Sequence, residues 1–181
     1  MHLTLAPGIA ADRAAPRGFE FQRIDSLGWE ILRPQGWTFF AGRIGDASIY
    51  QLRDSRQKGG GIVTDLKITV NPHVQVDQGV SVTQFMQRHY EYLCKKQTLV
   101  SPGSIVRQGK LSRLEFIADE HPGAFQRKES AARCSYCFIG CDESDVLVLM
   151  TFRCAVGKWP EARAIAEAIY ANIDLHPPSD K

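Results

Sequence analysis

The segment Gly28-Trp29-Glu30-Ile31-Leu32-Arg33-Pro34-Gln35-Gly36-Trp37 constrains the fold more than any other, because it frames a chain reversal between two strands with a tryptophan on each side. Pro34 fixes its own φ and holds Arg33 extended, and Gly36 can take a positive φ that other residues avoid. The chain therefore turns back there, and a new strand starts at Trp37-Thr38-Phe39-Phe40. On the first strand Trp29, Ile31 and Arg33 share one face and Glu30 and Leu32 the other, a mixed pattern expected near a sheet edge. Both tryptophans read as core residues, since large aromatics are mostly buried.

Around this reversal the pattern predicts strands over Phe19–Ile24, Trp29–Arg33, Trp37–Ile44, Ser48–Arg53 and Ile62–Val70. In the last, Ile62, Thr64, Leu66, Ile68 and Val70 alternate with Val63, Asp65, Lys67 and Thr69, the period of a sheet with one buried face. The intervening loop, Asp54–Gly61, carries Arg56, Lys58 and three consecutive glycines and reads as a mobile basic hairpin loop. A helix follows, opened by a Ser81/Gln84 capping box, with Val82, Phe85, Met86, His89 and Leu93 on one stripe and Lys95 and Lys96 at its end. Strands at Ser104–Gln108 and Leu111–Ala118, a loop at Asp119–Phe125, a long strand at Arg127–Ile139 and a turn at Gly140–Asp145 lead to a returning strand at Val146–Cys154. Val146 to Met150 are apolar on both faces, which places that strand centrally. Trp159–Ile173 closes the chain as a helix, with Pro160 and Glu161 at its start and Ala162, Ile165, Ala166, Ile169 and Ile173 as its apolar stripe.

Strands, helix, strands and a C-terminal helix argue one α+β domain over residues 19–175: an antiparallel sheet of about six to eight strands with two helices packed on it. The 181 residues suit a single domain, so 1–18 and 176–181 are expected to be tails. The 44% hydrophobic and 23% charged residues exclude a disordered or fibrous class, and the net charge of +2 gives no case for nucleic acid. No apolar run reaches the roughly 20 residues needed to cross a bilayer. Met1–Pro16 reads as a flexible tail and not as a signal peptide, which points to the cytoplasm unless an export signal has been trimmed away. The odd count of five cysteines favours a reducing compartment.

With these elements in order, the chain resembles the PsbP-like superfamily, which also holds a small Ran-binding nuclear import factor and uncharacterised bacterial domains. The likeness rests on the G-W-x-I-x-x-P-x-G-W opening at Gly28–Trp37, the glycine-rich hairpin, the mid-chain helix, the Val- and Leu-rich late hairpin and the closing helix, and it spans Phe19–Leu175. It implies an α/β/α sandwich and a noncatalytic binding, assembly or chaperone-like role, with another protein as partner and no cofactor. The lack of an evident transit segment argues against a role at a photosystem.

The residues offer few catalytic candidates. No nucleophile elbow or metal-spaced histidine pair is present, and Gly59-Gly60-Gly61 lacks the helix and lysine of a phosphate loop, so no enzyme is expected. His89 reads as a core or boundary residue, and His73 and His121 fall in loops where ligands are often bound. Cys134, Cys137 and Cys141 imitate metal spacing, but on a strand the first two point to opposite faces and read as small apolar fillers, so no metal is expected. Cys134 and Cys154 come close to opposed positions if the hairpin turns near Glu143, a minor redox-pair reading. On the same hairpin Arg127, Glu129, Arg133 and Ser135 alternate outward and Arg153 falls almost opposite Arg133. Either Glu115 or Glu129 neutralises these arginines internally, or Arg127, Arg133 and Arg153 with Arg56 and Lys58 form a partner-binding surface for carboxylates. An alternative function is a small-molecule or lipid pocket between sheet and helices lined by Trp29, Trp37, Phe39 and Phe85.

Overall fold

A computed structural model describes residues 14–57, 61–120 and 131–173. Two strands, β1 (Phe19–Ile24) and β2 (Trp29–Pro34), form an antiparallel ribbon of their own. The main antiparallel sheet has eight strands. It contains β3 (Trp37–Ile44), β4 (Ala47–Asp54), β5 (Asp65–Pro72), β6 (Thr98–Ser101), β7 (Val106–Gln108), β8 (Leu111–Glu120), β9 (Ala132–Cys141) and β10 (Val146–Ala155), in the order β3-β4-β5-β10-β9-β8-β6, with β7 also paired to β8. Helices α1 (Val74–Gln78), α2 (Val82–Lys96) and α3 (Trp159–Ala171) complete the fold.

The expected α+β class and the central place of the Val146–Met150 strand hold: β10 lies between β5 and β9. The first strands differ from expectation. Gly36, at φ +80°, does reverse the chain, but β1 and β2 leave the main sheet and lie over it, so β2 is no edge strand of that sheet. Ile31 and Leu32, on opposite sides of β2, are both buried for this reason. The sequence pattern also missed α1 and β6, each too short to show a period.

Two cores follow from the two faces. On one, Tyr50, Leu52, Leu66, Ile68, Val70, Met150 and Phe152 pack under the ribbon's Trp29, Ile31 and Leu32 and under α3. On the other, Leu114, Phe116, Tyr136, Phe138 and Leu147 pack under α2 through Val82 and Met86. Both approaches are close. Tyr170 of α3 reaches the sheet backbone: its hydroxyl donates to Ser135 O at 2.7 Å and accepts from Phe152 N at 3.2 Å, two residues that stand opposite each other in the β9–β10 ladder. The small side chains of Ser135 and Cys137 on that face leave room for its ring. On the α2 side, a Cβ on Gly140 would stand 2.9 Å from Val82 Cγ1, so only glycine lets the helix start this low.

The tight turn between β9 and β10 positions the helices of the second face. Asp142 accepts from Thr83 N at 2.9 Å and from Thr83 Oγ1 at 2.9 Å, which occupies a free donor in the first turn of α2 beside the Ser81/Gln84 capping box. Asp145, at φ +51°, accepts from Gln75 N at 2.6 Å in α1, and Gln75 Nε2 returns a bond to Asp142 O at 2.6 Å. Asp142→Ala should therefore cost about 1–2 kcal/mol of unfolding free energy in urea, with an unchanged m value. A loss below about 0.5 kcal/mol would show that α2 is held by packing alone.

Candidate functional site

Coverage of the second face is incomplete. Helix α2 packs on β8, β9 and part of β10, and toward the β3–β4 hairpin α1 and α2 face the sheet only across a cavity at the Ile44 end. On this face the outward residues of each strand are Thr38, Phe40, Gly42 and Ile44 on β3, Arg53 on β4 and Lys67 on β5, all exposed, with Gln51, Asp65 and Thr69 half-buried between them. Thr151 and Arg153 on β10 continue this surface toward α2. Phe40 is 54% and Ile44 71% exposed. Arg53, Lys67 and Arg153 are exposed cations gathered at one end, with Arg53 and Arg153 both opposite Asp65 in register. Burial pushes the Asp65 carboxyl above the usual carboxylate range, against the opposing effect of a 2.6 Å hydrogen bond from the Gln51 amide.

The arginines singled out in the sequence do not share a face. In the observed register Arg153 stands opposite Cys134 and Cys154 opposite Arg133, one residue away from either expected pairing, and a one-residue step moves a side chain to the other face. Arg133 lies on the α3 side, in a bidentate pair with Asp119 at 2.7 and 2.9 Å and 5.9 Å from the Trp159 ring. Arg153 lies on the bare side, 3.4 Å from Glu120. Among the described residues the carboxylates beside these two arginines are Asp119 and Glu120, and Glu115 pairs with Arg113 instead. Arg56 is held by Asp54, and their bond keeps the Asp54 carboxyl below its ordinary range. Lys58, His121, Arg127 and Glu129 lie outside the described residues.

The same step separates the cysteines. Cys134 packs under α2, whereas Cys137, Cys141 and Cys154 belong to the other core, so Cys134 and Cys154 cannot form a cross-strand disulfide. All five thiols are free. Burial pushes Cys137 up to about 12 and Cys154 to about 11, and raises Cys134 further.

The aromatic pocket is also divided. Trp29, Trp37 and Phe39 pack on the ribbon side, Trp37 stacking on Phe152 at 6.2 Å, while Phe85 sits across the sheet on α2. Neither of two larger cavities gathers these four residues, although Phe85 lines one of them. A groove of about 440 Å³ runs between α3 and β8, lined by Arg113, Glu115, Ser135, Trp159, Arg163 and Tyr170 among others. A second, of about 310 Å³, lies between α1, α2 and the β3–β4 hairpin, with Ile44, Asn71, Asp77, Phe85 and His89 on its walls. His89 stacks between Phe85 and Tyr92 at 6.2 and 6.3 Å, and burial lowers its imidazole below the ordinary value. His73 takes the left-handed conformation at the start of α1. No helix among the described residues is long and apolar enough to cross a membrane.

The architecture is similar to the solution structure of cyanobacterial PsbP from Synechocystis sp. PCC 6803, with a TM-score of 0.59 over 96% of this chain and 99% of that one. The fold is PsbP-like. Sequence identity to that protein is 11%. A crystal structure from Bacteroides thetaiotaomicron VPI-5482 aligns with a TM-score of 0.47 and 13% identity, over 84% of this chain and 47% of that one. No family model matches the sequence, and no curated protein does.

Two measurements follow. Because the folded chain resists protonating His89 while the unfolded chain does not, stability falls as pH drops through about 6.5. His89→Gln should flatten that decline between about pH 7 and 5; an unchanged slope in urea melts would assign it to other groups. In native protein the half-buried Cys94 should react with a thiol reagent well before the four buried cysteines, and all five should react in guanidinium.

Proposed function

We propose that this PsbP-like chain is a noncatalytic binding or assembly protein that docks an acidic surface or segment of a partner protein on the bare half of its sheet, over β3–β5 and the end of β10. The uneven helix coverage carries this reading. A sheet face that leaves Phe40 exposed near Arg53, Lys67 and Arg153, with Ile44 exposed at the far end of β3, has the apolar and cationic parts of a protein interface. Guanidinium groups held on a rigid sheet meet carboxylates bidentately and without a large loss of freedom. Of the arginines read from the sequence, Arg153 is on this surface, with Glu120 at 3.4 Å, while Arg133 is held on the opposite face by the shorter bidentate pair with Asp119. Arg53 and Lys67 take its role.

A second reading, a small-molecule or lipid carrier, is supported by the groove between α3 and β8, whose volume of about 440 Å³ falls in the range of ligand sites. Native mass spectrometry of the purified protein separates the two, since a carrier retains a ligand and a docking protein does not.

Pull-down from the native organism with wild-type protein should yield a stoichiometric acidic partner, and Arg53→Glu with Lys67→Glu should lose it while the melting temperature stays nearly unchanged. Retention of the partner by that double variant would overturn the assignment of this face.

A further inference from the structure

The two edges of the main sheet are unlike. At one edge β6 has four residues and β7 three, the register breaks between Leu99 and Ser101, and Pro102 follows. Short strands, irregular register and proline are the usual means of blocking a sheet edge. At the other edge β3 runs eight residues in unbroken register with β4, contains no proline, and has β4 as its sole strand neighbour among the described residues. From Phe40 to Ile44 every residue of β3 is exposed, and Arg43 is the strand's one charge. An open edge of this kind presents unpaired N–H and C=O groups to any extended strand.

We infer that β3 pairs antiparallel with β3 of a second copy of this chain, about a two-fold axis through Ala41, so that the two sheets become one. Several features favour a second copy over another strand. In an antiparallel pair opposed residues share a face, so the axis must pass through a residue and not between two. Centred on Ala41, the register sets Phe40 against Gly42 of the second copy twice over, and an aromatic side chain laid across an edge glycine covers the backbone that glycine leaves open. It sets Thr38 against Ile44, which places the most exposed apolar residue of the edge in a cross-strand pair. On the opposite face Arg43 falls beside Phe39 of the second copy and not beside another Arg43, giving a cation–π pair in place of a repulsion. Phe39 is already held for that role by stacking on Tyr50 at 6.0 Å. Pairing of two strands buries less area than a standard interface, so the dimer is weak and concentration-dependent.

Sedimentation equilibrium of the full chain between about 1 µM and about 1 mM tests this. The average mass should climb toward twice that of one chain. Ala41→Lys, which opposes two ammonium groups on the axis at an exposed position, should hold the mass at one chain with an unchanged thermal melt. Phe40→Thr, a strand-compatible change, should weaken the association about tenfold and decides the matter if Ala41→Lys does not fold. A single-chain mass throughout the range, or a dimer that neither variant disturbs, would overturn the proposal.

Discussion

The carboxylate of Asp142 sets where α2 begins, and much of the rest depends on it. It stands in the turn between the two most central strands and binds both the backbone and the hydroxyl of Thr83. A helix end offers unsatisfied N–H groups whose position on a sheet is otherwise free to slide. Fixed at this turn, and lowered against the sheet by the missing side chain of Gly140, α2 runs over β8 and β9 and stops short of β3–β5. Asp145, in the same turn, accepts from Gln75 N of α1 and so holds the short helix that would otherwise lack the length to persist. One four-residue turn therefore decides which part of the face α2 covers among the described residues.

The two faces solve the problem of coverage differently. On the first, a ribbon and a helix share the work, and α3 comes near enough for Tyr170 to bond the backbone of two neighbouring strands. That approach needs small residues beneath it, which accounts for serine and cysteine in the middle of β9. The thiols are there for size, and their burial holds them protonated far above neutral pH. On the second face the aromatic side chains Phe116, Tyr136 and Phe138 fill the layer, with Phe116 and Tyr136 stacked at 4.5 Å. Tyr136 is buried with its hydroxyl tied to Gln97, where α2 ends.

Charge is distributed along the same division. Arg133 is neutralised by a bidentate partner and lies against a tryptophan on the α3 side of the sheet. Arg153, one residue along the register, faces solvent next to Arg53 and Lys67. Two arginines of similar sequence context thus lie on opposite faces, one paired with Asp119 and one beside Glu120.

Element type and order were legible in the sequence because hydrophobic period and turn chemistry are local. Alternation over Leu66–Val70, the Ser81/Gln84 box and the apolar run at Val146–Met150 each reported a real strand, cap or central position. The separate ribbon was not legible, since a buried β2 reads alike whether it joins a sheet or lies over one. Nor was the hairpin register: Asp145 in the left-handed conformation closes a turn of four residues between Cys141 and Val146, and a single residue more or less would have brought Arg133 and Arg153 to one face. The sequence by itself determined the strands, the long helices and the class of fold, through spacings of a few residues. Only the tertiary structure decided which face Arg133, Arg153 and each cysteine occupy and where α2 stops over the described part of the sheet, because those depend on register and on where a distant aspartate fastens a helix.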